Sequence, residues 1–153
     1  MKLAEALAER KAAQEKIEQL NERLQSVMLV QEGEQPIEDP TVLLNELEEM
    51  ALALEALMIA INRTNLGAAL ADGLNMTAAL ARRDVLRMRM GVVDACLKTA
   101  TGQQFRVRNA EIKMLATVDV VQLRRGRDVL ARQYRDLDTA IQAGNWATEL
   151  IED

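Results

Sequence analysis

The residues able to do chemistry in this chain are few, and the most informative fact about them is a gap: none of its 153 residues is a histidine. That removes Ser-His-Asp and Cys-His nucleophilic catalysis, the paired histidines of zinc helices, and the Glu-x-x-His ligands of di-iron bundles. No glycine-rich phosphate-cradling loop is present either. Carboxylates remain, and Glu46, Glu48, Glu49 and Glu55 crowd one segment. A metal site made of carboxylates alone requires several oxygens converging on one point. These positions fall mostly off the apolar stripe of their helix, where charged side chains meet water, so a solvated acidic face is expected and no cofactor or metal. A carboxylate-metal enzyme is kept as an alternative. Cys96 is the single cysteine, so it has no intrachain disulfide partner, and its place in a helical pattern reads as a small core residue.

Two further groups stand out by placement. Arg10 and Arg127 interrupt otherwise apolar stripes. A buried arginine needs a carboxylate, and by pattern the nearest is Asp84, which makes Arg10, Asp84 and Arg127 the candidate members of buried ion pairs; otherwise both arginines extend to solvent. Asn62, Thr64 and Asn65 close one helical pattern, and Gln142, Asn145 and Trp146 close another. In an up-down-up-down arrangement these ends share a pole, so they form a candidate polar cluster, with helix capping by Asn and Gln and Trp146 as a lid.

The elements that must position these residues follow from periodicity. Leu3, Ala6, Arg10, Ala13, Ile17, Leu20, Leu24 and Val27 keep a strict three-four spacing, which predicts a long amphipathic helix over about 2–31, ended by Gly33 and Pro36. Asp39 and Pro40 open a second helix, about 40–64, with Leu43, Leu47, Met50, Leu54, Leu57 and Ile61 as its stripe. The short connection makes the two an antiparallel hairpin. An Asp-Gly turn signal precedes a third helix over about 77–101, capped by Asn75 or Thr77. Asp119 caps a fourth over about 119–143, whose stripe is Val120, Leu123, Arg127, Leu130, Tyr134, Leu137 and Ile141. Residues 103–118 read as an extended connection, with a helix from Ala110 as the other possibility. The expected fold is all-α: a four-helix up-down-type bundle with a long N-terminal hairpin, in one domain spanning 1–153.

The third helix has two apolar stripes: Ala78, Ala81, Val85, Met88, Val92 and Ala95 on one side, and Leu86, Met90, Val93 and Leu97 on another. A single layer of four helices covers only one of them. The second, Leu86 to Leu97, is the candidate interface, and self-association is the expected cover. The 103–118 connection folding over the stripe, or a different protein partner, is the alternative cover.

Composition agrees with packed helices, since one Phe, one Tyr and one Trp leave the core to aliphatic side chains. The net charge of −5 argues against general nucleic-acid affinity. It is unevenly spread: six cations face fourteen carboxylates in residues 1–76, and thirteen face ten in 77–153. The acidic first hairpin is thus also a candidate docking arm for a basic partner. Charges every few residues near the start, and no apolar run of about 18 residues, predict a soluble cytoplasmic protein that does not engage membranes.

The motifs INRTN, ARRDVL, EIK, TVDV and YRDLDTAIQAGNW together resemble a family of small, uncharacterised bacterial helical proteins, some labelled septicolysin-like. The likeness spans nearly the whole chain and implies no catalytic residues. The label implies a membrane-active cytolysin. Taken by themselves, the residues point instead to an oligomeric structural or interaction protein, since they carry no export signal and no amphipathic β-hairpins for a pore.

Overall fold

The computed structural model describes residues 1–102 and 113–152, and the fold is all-α. Its helices are α1 (Leu3–Val27), α2 (Pro40–Gly67), α3 (Met76–Ala100) and α4 (Val120–Ala147). Internal contacts divide the chain into two compact units: residues 1–68 with 144–153, and residues 69–143.

In the first unit α1 and α2 form an antiparallel pair. The stripe read from α1 is the buried one, with Leu3, Ala6, Ala13, Leu20, Leu24 and Val27 all nearly inaccessible. Leu20, Leu24 and Val27 close over Leu43, with Leu47 packed against them. Polar pairs flank this seam. Arg23 binds Glu38 with Nε 3.0 Å from one carboxylate oxygen and a second guanidinium nitrogen on the other, and Lys16 lies 3.0 Å from Glu46. The Asp39 side chain accepts the Thr41 amide at 2.8 Å, capping α2 behind Pro40.

The expected C-terminus of α1 is corrected. The helix stops at Val27 rather than near residue 31, because α2 begins at Pro40 and offers nothing beyond Leu43 for another turn to pack against; Leu29, just past the helix end, is exposed. Gly33, at φ +89°, forms the turn itself instead of a helix cap, with the Glu34 amide on the Gln31 carbonyl at 3.0 Å.

The tail completes this unit. Lys2 and Glu149 form an isolated antiparallel bridge, with the Leu3 amide donating to Thr148 at 3.0 Å and the Leu150 amide to Met1 at 2.8 Å. Leu150 is buried, and Ile151 lies against Gly67 at the end of α2.

In the second unit Asn75 caps α3 by accepting the Thr77 and Ala78 amides at 2.9 and 3.4 Å. The preceding turn is held by Gly73 at φ +85° and by the Asp72 carboxylate, which accepts the Leu74 amide at 3.0 Å. Asp119 accepts the Gln122 amide at 3.0 Å and starts α4 as its sequence predicts. α4 outruns its expected end at 143 because Asn145, four residues beyond the buried Ile141, is itself buried. Residues 113–118 belong to no helix; the choice between strand and helix for 103–112 lies outside the described residues.

Leu43→Ala should cost about 2–5 kcal/mol in urea-induced unfolding, as a cavity in the α1–α2 seam. Gly91→Ala should instead gain about 0.5–1 kcal/mol, since the site is mid-helix and an added Cβ meets nothing within 4 Å.

Candidate interaction surface

The α3–α4 pair has two unlike edges. Along one, polar side chains bond across at a fixed register. Arg83 Nη1 donates to Asp138 at 3.2 Å, Arg87 Nη2 donates to the Tyr134 hydroxyl at 3.0 Å, and Arg127 grips Asp94 through Nε and Nη2 at 2.8 and 3.0 Å. Each step forward on α3, from 83 to 87 to 94, is matched by an equal step back on α4, from 138 to 134 to 127. This is the signature of an antiparallel one-to-one register. The Arg87 guanidinium also lies 5.7 Å from the centre of the Tyr134 ring. Arg83 Nε is buried without a hydrogen-bond partner, although Asp84 Oδ1 stands 3.8 Å away.

The expected pairing of Arg127 with Asp84 is therefore corrected to Asp94. The register places residue 94, not 84, opposite 127, and Asp84 is exposed beside Arg83. Nor is the Arg127 pair fully buried; both groups keep part of their access to water. Arg10 is half-buried on the α1 stripe, with no ion-pair partner among the described residues.

The other edge is a groove in two adjoining stretches that share Arg89 and Gln133. One stretch has about 660 Å³ and is lined by Val93, Leu123, Gly126, Val129 and Leu130 among others. The second has about 750 Å³ and reaches from Gln133 to Arg82, Val85, Leu86 and Leu137. Apolar side chains form most of the lining, and Arg82 and Arg89 mark its α3 side.

This geometry reverses the assignment of the two α3 stripes. Leu86 is buried, and Met90, Val93 and Leu97 are half-buried on the face that carries the cross-bonds to α4. The stripe expected inside is the open one: Val85, Met88 and Val92 are 48%, 63% and 60% exposed, and Ala78, Ala81 and Ala95 are exposed beside them. Cys96, expected in the core, is also exposed.

The residues of the expected polar cluster differ in burial and in partners. Thr64 is 1% exposed, donates to the Ala60 carbonyl at 2.8 Å and accepts the Ile151 amide at 2.9 Å. Asn145 is buried, Asn65 is half-buried, and Asn62 and Gln142 are exposed. Trp146 is no lid, being 61% exposed, because it lies one residue past the buried Asn145 and so about 100° around the helix. The link between α2 and the tail thus runs through Thr64 and Ile151. The sequence signal for it was the apolar pair Leu150-Ile151 after the helix end, and the mirrored spacing of charges on α3 and α4 was the missed signal for their register.

Among the described residues no group of three or more Cys, Asp or Glu is placed to hold a metal, and no helix is long and apolar enough to cross a membrane.

Asp94 should titrate below the ordinary aspartate range. The hydrogen bonds from Arg127 hold the charged form, outweighing the partial loss of water, and the Arg127 charge adds to them. A carboxyl depressed in the folded state contributes stability above its unfolded pKa of about 4, and loses that contribution as pH falls through the folded value. Carboxyl NMR of the unmodified chain should show the depressed midpoint, and Arg127→Gln should return it towards the ordinary range.

No curated protein matches the chain. Among solved structures it is similar to a functionally unknown conserved protein from Corynebacterium diphtheriae, with 41% identity, 99% of each chain covered and a TM-score of 0.93. Residues 10–150 match the model of a family of unknown function, DUF6847, and the chain belongs to that family.

Proposed function

We propose that this chain is a homo-oligomeric structural or interaction protein of the cytoplasm, working through helical surfaces and not through a reaction centre. One observation carries the reading. Val85, Met88 and Val92 form an exposed row at three-four spacing on α3, and rows of that kind on a helix are covered by another helix in stable assemblies. Leaving such side chains in water forgoes about 1.5–3 kcal/mol each, which is enough to drive association when several are buried together. The exposed Leu44, Leu52, Met58 and Ile59 of α2 extend the same argument to the first hairpin. Self-association covers such rows without a second gene product, and closed two-fold pairs are its commonest form.

At micromolar concentration the chain should sediment at a multiple of its 17.0 kDa mass. Met88→Lys with Val92→Lys should lower that mass while helical circular dichroism is retained. A monomer at this concentration overturns the reading. Release of dye from liposomes would favour the cytolysin that the septicolysin-like label implies, and stoichiometric metal in the purified protein would favour the carboxylate enzyme.

A further inference from the structure

Resting on that reading of self-association, we infer that the α3–α4 groove is the seat for α2 of a second copy of this chain. The first argument is charge. Residues 1–68 with 144–153 hold six cations and sixteen carboxylates, a net −10, whereas residues 69–143 hold thirteen cations and eight carboxylates, a net +5. Two basic hairpins repel one another across a shared groove. An acidic hairpin is drawn to it.

The second argument is register. Arg82 and Arg89 stand seven residues apart on the groove's α3 side, and Glu48 and Glu55 stand seven residues apart on the outer flank of α2. Both spacings are two turns of helix, about 10 Å, so the two pairs can face each other at once. All four side chains are exposed, and none has an ion-pair partner among the described residues. Of the other charges on the groove, Asp72 is engaged by the Leu74 amide, Asp119 by the Gln122 amide and Arg127 by Asp94, while Asp136 belongs to the opposite, α4 side.

The third argument is the apolar surface around these charges. Leu44, Leu52 and Ile59 lie exposed near Glu48 and Glu55 on α2, and Val85, Val93 and Val129 line the groove. Gly126 opens the groove wall at a point where a Cβ would meet nothing within 4 Å, so it leaves room for an incoming helix and answers no internal crowding. Two copies that exchange their α2 flanks make the contact twice, and each contact then needs only half of the roughly 1,600 Å² that a stable pair buries.

Exchange of charge tests this. One chain carries Arg82→Glu with Arg89→Glu, and a second carries Glu48→Arg with Glu55→Arg. Each has one intact surface and one that repels its own kind, so each alone should sediment as a monomer with unchanged helical content. Mixed in equal amounts they should regain the mass of the unmodified protein, because every intact flank now meets a complementary groove. A milder pair, Arg82→Gln with Arg89→Gln and Glu48→Gln with Glu55→Gln, should each weaken association by about tenfold or more. Full mass in either charge-reversed chain alone, or a mixture that stays monomeric, overturns the inference. Oligomeric unmodified protein alongside such a result leaves self-association standing by another surface, whereas a monomeric unmodified protein removes the self-association reading itself.

Discussion

Everything in this fold depends on narrow apolar seams. With a single Phe, Tyr and Trp in the chain, the core lacks the large rings that each bury about 150–250 Å² and let one layer reach several neighbours. Aliphatic side chains at three-four spacing serve one partner helix at a time. α1 and α2 commit theirs to each other, from Leu3 to Val27 and from Leu43 to Ile61, and the remaining faces of both helices are left to charge and to exposed leucines. The long seam is thus also the reason why so much apolar surface stays available.

The α3–α4 pair shows how register is fixed when the seam alone does not fix it. Valines, leucines and alanines tolerate a shift of one turn with modest loss, because volume rather than direction decides their packing. Hydrogen-bonded charges do not. Moving α4 by one turn takes Asp138 from Arg83 and Asp94 from Arg127 together, and strands partly buried groups. The cross-bonded edge is therefore a device of specificity, and the opposite edge, which has no such closure, remains a groove.

The helices, their order and both stripes of the first hairpin were legible from spacing, and the caps at Asp39, Asn75 and Asp119 from residue type. Spacing could not rank the two stripes of α3. Side-chain bulk did so, since Leu86, Met90 and Leu97 fill a seam that Ala78, Ala81 and Ala95 would leave open, as did the charges of Arg83, Arg87 and Asp94 beside them. Spacing was equally silent on Asp84 against Asp94, because the pattern of one helix does not contain its offset from another. The ends of α1 and α4 were misread for one shared reason: a helix stops where its partner surface stops, and that surface belongs to a distant part of the sequence.

The charge division adds a constraint that packing does not. Ionic screening at physiological salt leaves only charges within about 8 Å of each other strongly coupled, so a net −10 and a net +5 matter mainly where the surfaces touch. There they act against like-with-like contact: a groove flanked by Arg82 and Arg89 repels its own copy, and a flank bearing Glu48 and Glu55 repels its own. Apolar surface alone would allow all of these pairings, since burial is non-directional. The placement of arginines beside one apolar surface and glutamates beside the other would favour the proposed mixed contact, through the penalty laid on the two alternatives.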